Sequence, residues 1–189
     1  MKDGQGRTID YLRISVTYRC DLRCVYCMPE CGVPSLSHET VLRYEEILRL
    51  ARIVAVLGIR KIRLTGGEPL TRKGLAQLIA ALSTVSGIET IDMTTNGMLL
   101  SDMLPQLLGA GLSSVNISLD TLDEAVFTAI TRRSGLKRVL DAIDRAAAVP
   151  TFGVKLNCVP TELNRNGIPA LTAYAAERSL PLRFIELMP

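Results

Sequence analysis

Leu12-Arg13-Ile14-Ser15-Val16-Thr17-Tyr18-Arg19-Cys20-Asp21-Leu22-Arg23-Cys24-Val25-Tyr26-Cys27 carries a strand signal that runs into three thiols. Leu12, Ile14 and Val16 alternate with Arg13, Ser15 and Thr17, the two-residue period of a β-strand. Cys20, Cys24 and Cys27 then fall within eight residues, so one tight loop can aim three sulfurs at a single inorganic centre. Thiolates are soft ligands, suited to zinc or to iron-sulfur clusters. The fourth ligand separates the two. A structural zinc site is closed and nearly always four-coordinate, and no second Cys or His pair follows downstream. A four-iron cluster held by three thiolates leaves one iron open to another ligand.

Beyond the loop, strand and helix signals alternate. A helix is expected to begin near Ser37 to Glu39, with Tyr44, Ile47, Leu50, Ala51, Val54 and Leu57 on one stripe, Glu45, Arg49 and Arg52 on a solvated face opposite, and Gly58 as its stop. Strands are then expected over Ile59 to Thr65, Thr90 to Thr94, Ser113 to Ser118, Thr151 to Val159 and Leu182 to Met188. Helices are expected over Thr71 to Val85, Leu99 to Ala110, Leu122 to Ala148 with a break near Ser134-Gly135, and Ile168 to Ser179. Six strands separated by five helical segments point to an α/β fold: a parallel sheet with crossover helices on the outside, rolled into part of a barrel.

Each strand has an apolar phase that can meet helices and a polar phase that needs another partner. The polar phases are Arg13/Ser15/Thr17, Lys61/Arg63/Thr65, Asp92/Thr94, Asn116/Ser118/Asp120 and Lys155/Asn157. A dry lumen lined this way is costly, so the lumen is expected to hold a polar ligand. Arg13, Arg63 and Lys155, on three different strands, can converge on an anion such as a triphosphate. The competing possibility is a sheet with one solvated face, in which Asp92 and Asp120 pair with the cations.

At 189 residues the chain suits one well-buried domain, and 48% hydrophobic content with no long apolar run describes a globular protein rather than a membrane span. The opening Met1-Lys2-Asp3-Gly4-Gln5 has no apolar core of a secretory signal, so a reducing, cytoplasmic setting is expected, with the five cysteines as thiols and ligands. A net charge of +3 with 4% aromatics does not describe a nucleic-acid binder.

The three-Cys loop together with Gly66-Gly67-Glu68-Pro69 resembles the radical SAM superfamily. Within it the chain is similar to the GTP 3′,8-cyclases of molybdenum cofactor biosynthesis. The resemblance runs through Gly6 to Thr17, Lys61-Ile62-Arg63-Leu64-Thr65-Gly66-Gly67-Glu68-Pro69-Leu70, Thr94-Thr95-Asn96-Gly97, Asn116-Ile117-Ser118-Leu119-Asp120 and the closing Arg183 to Pro189. It implies a partial (β/α)6 barrel, with residues 1–189 as one radical SAM core domain. By that resemblance Cys20, Cys24 and Cys27 hold a [4Fe-4S] cluster, and the amino and carboxylate groups of S-adenosylmethionine take the open iron. Gly67 and Ser118 contact the cofactor, the Tyr26 backbone and Met188 lie at its adenine, and Arg13, Arg63, Thr94 and Lys155 contact GTP. The implied reaction is reductive cleavage of the cofactor, hydrogen removal from C3′ of GTP and bond formation to C8. The implied partners are GTP, a low-potential electron donor and the next enzyme of the molybdopterin pathway.

Not every motif residue belongs to that set. Cys31 is read as an incidental loop thiol, Cys158 as a small buried hydrophobe, and His38 carries no assigned role. The family commonly has Asp where Tyr18 stands and Asn where Asp21 stands. It also carries a C-terminal segment with a second three-Cys cluster, which lies outside this sequence. The expectation is that these residues alone cleave the cofactor slowly and cyclise GTP poorly. Two other readings stay open from the sequence: a radical SAM enzyme with a different substrate, and a non-enzymatic iron-sulfur or zinc module.

Overall fold

The computed structural model describes residues 2–34 and 40–187. Six strands form one sheet in sequence order: β1 (Tyr11–Ser15), β2 (Lys61–Thr65), β3 (Thr90–Thr95), β4 (Ser114–Ser118), β5 (Gly153–Cys158) and β6 (Leu182–Phe184), and every neighbouring pair is parallel. Between them lie α1 (Tyr44–Val56), α2 (Leu75–Ser83), α3 (Leu100–Gly109), the pair α4 (Glu124–Thr131) and α5 (Leu136–Ala147), and α6 (Ile168–Glu177). A parallel pair cannot be closed by a hairpin, so each strand return needs a crossover, and these sequences supply helices. β1 and β6 remain edges of an open arc.

The two strand phases separate as expected. Ile62, Leu64, Met93, Val115, Ile117 and Leu156 are fully buried on the face that meets the helices. They pack into one core with Leu75, Ile79 and Leu82 of α2, Leu100 and Leu107 of α3, and Val139, Ile143 and Ala146 of α5. Burying one such side chain is worth about 1.5–3 kcal/mol, so this face fixes the register of the whole sheet. The register places the polar residues in rows across the other face. Arg13, Arg63 and Asp92 align on β1 to β3, Thr94, Asn116 and Lys155 on β3 to β5, and Ser118, Asn157 and Arg183 on β4 to β6.

Helix α1 departs from expectation at its start and along its stripe. It begins at Tyr44, where the Glu46 carboxylate accepts the Arg43 N–H at 2.7 Å and ends the approach. The expected start at Ser37 to Glu39, with His38, lies outside the described residues. Only Ile47 and Ala51 of the expected stripe are buried, whereas Leu50 and Leu57 are exposed, because α1 flanks the sheet edge and has α2 as its packed helix neighbour on one side only. Gly58 does end the helix, at a φ of 96° that favours glycine. The break near Ser134-Gly135 is real and divides α4 from α5. β6 is shorter than expected, ending at Phe184, so Glu186 lies beyond the strand, while Met188 and Pro189 fall outside the described residues. Among the described residues no helix is long and apolar enough to cross a membrane.

Candidate cluster and cofactor site

The cysteine loop leaves β1 and is hung on the carboxyl end of α4. Arg23 N and Val25 N donate to the carbonyls of Thr131 and Ile130, each at 2.9 Å, satisfying carbonyls that a helix end leaves open. Arg132, in left-handed conformation at φ 56°, sends its guanidinium to the Arg23 carbonyl at 2.9 Å. Within the loop, Cys27 N and Met28 N both donate to the Cys24 carbonyl, a turn that brings Cys24 and Cys27 to one side.

The loop also leans on β2. Gly67 N donates to Thr17 O and Glu68 N to Arg19 O, each at 2.7 Å, so the β1–β2 pairing continues past the strand ends. A Cβ at Gly66 would run into the Thr17 carbonyl and one at Gly67 into the Arg19 carbonyl. Both glycines are therefore demanded by the chain's own backbone, a reason the sequence did not reveal. That contact sets the base of the cysteine loop against the edge that presents Gly67.

Three more residues stitch the strand-end loops together. Glu68, 1% exposed, accepts Leu70 N at 3.0 Å, Thr95 Oγ1 at 2.8 Å and Asn96 N at 2.7 Å, tying the loop after β2 to the loop after β3. Burial pushes its carboxyl up to about 7 against the pull of those donors. Asn96 reaches across to Asp21 of the cysteine loop at 2.6 Å. Asp120, after β4, accepts the Tyr26 hydroxyl at 2.6 Å on one oxygen and Val159 N at 2.8 Å on the other. From sequence, Glu68 and Asn96 had no assigned role and Asp120 was considered only as a partner for the cations. Each lies in a motif that the sequence marks, but its partners are far apart along the chain and only the fold joins them.

Cys20, Cys24, Cys27, Gly67, Thr94 and Ser118 line one cavity of about 190 Å³ at the carboxyl ends of the strands, with Phe127 and Ile130 as its apolar wall. Residues from four strand ends meet there only because the sheet curves, as a partial barrel requires. Burial first, then neighbouring carboxylates and thiols, pushes Cys20 up to about 11 and Cys24 up to about 12. Burial thus favours the neutral thiol at both, and bound cations would favour the thiolate. Among the described residues no three His, Cys, Asp or Glu side chains converge closely enough for one metal ion. Three sulfurs on one cavity can each take a separate iron of a cluster and are one ligand short of a closed zinc site.

Tyr26 lines this cavity as well, with its hydroxyl committed to Asp120. Cys31 is exposed, lines no part of the cavity and donates to Gly32 O at 3.6 Å; Cys158 is fully buried. Cys158 packs in the apolar core, as expected of a small buried hydrophobe.

The expected phosphate contacts fall into two groups. Thr94 lines the cavity, whereas Arg13, Arg63 and Lys155 do not. Arg63 lies two residues before the carboxyl end of β2 at Thr65, roughly 7 Å nearer the amino ends at about 3.3 Å per strand residue. Its guanidinium pairs with Asp92 at 2.9 Å, both side chains being largely buried, and Ser114 Oγ donates to the same aspartate at 2.6 Å. This is the cation-carboxylate pairing that the sequence left as an alternative, realised at Asp92 but not at Asp120. Arg13 and Lys155 make no ion pair among the described residues. Among the described residues, Asn116 Oδ1 and Asn157 Oδ1 are buried without a hydrogen-bond partner, the cost expected of a lumen arranged for a polar ligand.

The chain resembles known proteins over nearly its whole length. A model of the radical SAM superfamily matches residues 14–162. The GTP 3′,8-cyclase of Peptoclostridium acidaminophilum is 48% identical over 188 residues, covering 99% of this chain and 58% of that protein. The GTP 3′,8-cyclase of Moorella thermoacetica is 49% identical over 190 residues, covering 100% and 59%. The chain thus spans under two thirds of the length of these curated relatives. Among solved structures, Streptococcus suis SuiB bound to S-adenosylmethionine matches with a TM-score of 0.77 at 19% identity, over 95% of this chain and 39% of that one. Methylornithine synthase (PylB) matches with a TM-score of 0.73 at 14% identity, over 95% and 53%. At those identities the structural matches bear on the fold alone.

Proposed function

The chain belongs to the radical SAM superfamily, and from that membership we propose that it is the barrel portion of a GTP 3′,8-cyclase acting in molybdenum cofactor biosynthesis. One observation carries the reading: three cysteines converge with Gly67, Thr94 and Ser118 on a single cavity, above lumen rows that hold Arg13 and Lys155. The identity of about 48% to proteins named GTP 3′,8-cyclase supports GTP as the substrate.

On this reading Cys20, Cys24 and Cys27 hold a [4Fe-4S] cluster with one iron left for S-adenosylmethionine. Bound together, the two cofactors would supply one-electron reductive radical chemistry directed at the ribose of GTP. The protein's own work is to place and enclose. The Gly67 edge offers backbone carbonyls to the methionine amino group, Ser118 and the Tyr26 backbone hold the nucleoside part, and Met188 is assigned beside the adenine. Thr94, on the cavity wall, contacts GTP. Arg13 and Lys155 take the triphosphate directly. Arg63 joins them while its charge stays balanced by Asp92, so it positions more than it attracts.

GTP and a low-potential electron donor are the partners this assigns, with a reducing cytoplasmic setting and the next enzyme of the molybdopterin pathway as the recipient of product. The test is anaerobic reconstitution with iron and sulfide, then measurement of 5′-deoxyadenosine with and without GTP. Formation of 5′-deoxyadenosine, lost in Cys24→Ser, is expected. A reconstituted chain with full iron content that yields none is a carrier or scaffold, and the reading fails. GTP leaving both the yield and the products unchanged would redirect it to another substrate.

A further inference from the structure

Asp21 and Asn96 meet on one side of Cys20, in contacts that the proposed reaction does not use. Asn96 Oδ1 accepts Met98 N at 2.9 Å, which fixes the amide so that Nδ2 turns toward the cysteine loop. There Nδ2 donates to Asp21 Oδ1 at 2.6 Å and lies 3.8 Å from Cys20 Sγ. A primary amide nitrogen carries two hydrogens, enough to serve both acceptors. Cys20 Sγ is itself 3.8 Å from the same carboxylate oxygen and receives Leu22 N at 3.4 Å. The Asn96 backbone N–H is held by Glu68 at 2.7 Å, so the amide cannot easily swing away.

A free thiol can share its hydrogen with Asp21, but a sulfur bonded to iron has none to share. In the metal-loaded loop the carboxylate therefore faces an electron-rich sulfur, with the Asn96 amide between them. Negative charge beside a cluster disfavours adding an electron, whereas N–H groups aimed at its sulfurs favour it. We propose that Asp21 and Asn96 form a potential-setting pair on the Cys20 ligand, Asp21 lowering the reduction potential of the bound [4Fe-4S] cluster and Asn96 opposing that effect by donating to both. The inference rests on the cluster reading of the loop. Both are positioning residues, since they act through Cys20.

The experiment is anaerobic potentiometry of the reconstituted protein, followed by electron paramagnetic resonance of the reduced state. One electron from the reductant converts the oxidised [4Fe-4S]2+ form to [4Fe-4S]+, and no bond to the protein forms or breaks. Asp21→Asn keeps the shape and removes the charge. It is expected to favour reduction roughly tenfold, about 59 mV for one electron. Asn96→Ala is expected to shift the equilibrium the other way, and by less when combined with Asp21→Asn. A structural role alone would lower iron content without moving the potential. An Asp21→Asn shift below about twofold, or of opposite sign, at full iron content overturns the pair. If that variant does not assemble a cluster, Asp21→Ser is measured with the same expected sign and the same criterion. A wild-type protein that gives no reducible four-iron signal overturns the cluster reading itself, an outcome distinct from a cluster with an unmoved potential.

Discussion

Glu68→Ala tests whether one buried carboxyl holds the strand-end loops together. The substitution leaves Leu70 N, Asn96 N and the Thr95 hydroxyl without their acceptor in a place that is 1% exposed. Three hydrogen bonds at about 1–1.5 kcal/mol each give a loss of roughly 3–4.5 kcal/mol while the wild-type carboxyl is protonated and free of the charge-burial cost. Burial raises that carboxyl from 4.5 to about 7 in the folded protein. The shift is equivalent to about 3 kcal/mol at 1.36 kcal/mol per pH unit. Because the folded value lies above the unfolded one, this stability is fully present below pH 4.5. It is lost as the pH rises through about 7. The wild type should thus lose about 3 kcal/mol from this group between about pH 5 and 8, and Glu68→Ala should not. Urea unfolding of metal-free, reduced protein at both pH values measures the difference. The gap between wild type and variant is expected to be largest near pH 5 and to shrink toward pH 8. A gap that is constant with pH, or that widens upward, refutes the assignment of Glu68 as a buried, charge-penalised tie.

Three further outcomes follow from contacts already described. Tyr26→Phe removes the 2.6 Å bond to Asp120 and should cost about 1–3 kcal/mol in urea unfolding, with faster loss of iron from the reconstituted loop. Arg63→Ala leaves Asp92 with Ser114 but no cation, and is expected to destabilise by about 3 kcal/mol; adding Asp92→Ala should restore part of that in a double-mutant cycle. Gly67→Ala should push the Arg19 backbone away, lowering iron bound per chain more than it lowers helix content by circular dichroism.

The apolar residues at every second position of β2 to β5 were enough to fix the sheet's buried face. No other register puts Ile62, Leu64, Met93, Val115 and Leu156 together against the helices. Helix ends were less legible. The approach to α1 is closed by Glu46 reaching back to Arg43, a local bond that residue spacing alone did not mark as the helix start. Leu50 and Leu57 fit the stripe by spacing yet stay exposed, because burial depends on how many neighbours surround a helix and α1 sits at an edge.

The cysteine spacing and the strand alternation by themselves determined that a loop of three sulfurs stands over a lumen lined with polar groups. The nature of each motif residue was readable for the same reason: chemistry follows from residue type and local spacing. What only the tertiary structure decided is which of those residues hold one another. Glu68 joins Thr95 and Asn96, Asn96 joins Asp21, Asp120 joins Tyr26 and Asp92 neutralises Arg63. Each of those bonds links segments at least 27 positions apart. Directional contacts of that span depend on where the chain folds back, and residue order alone does not encode the angle at which two loops meet.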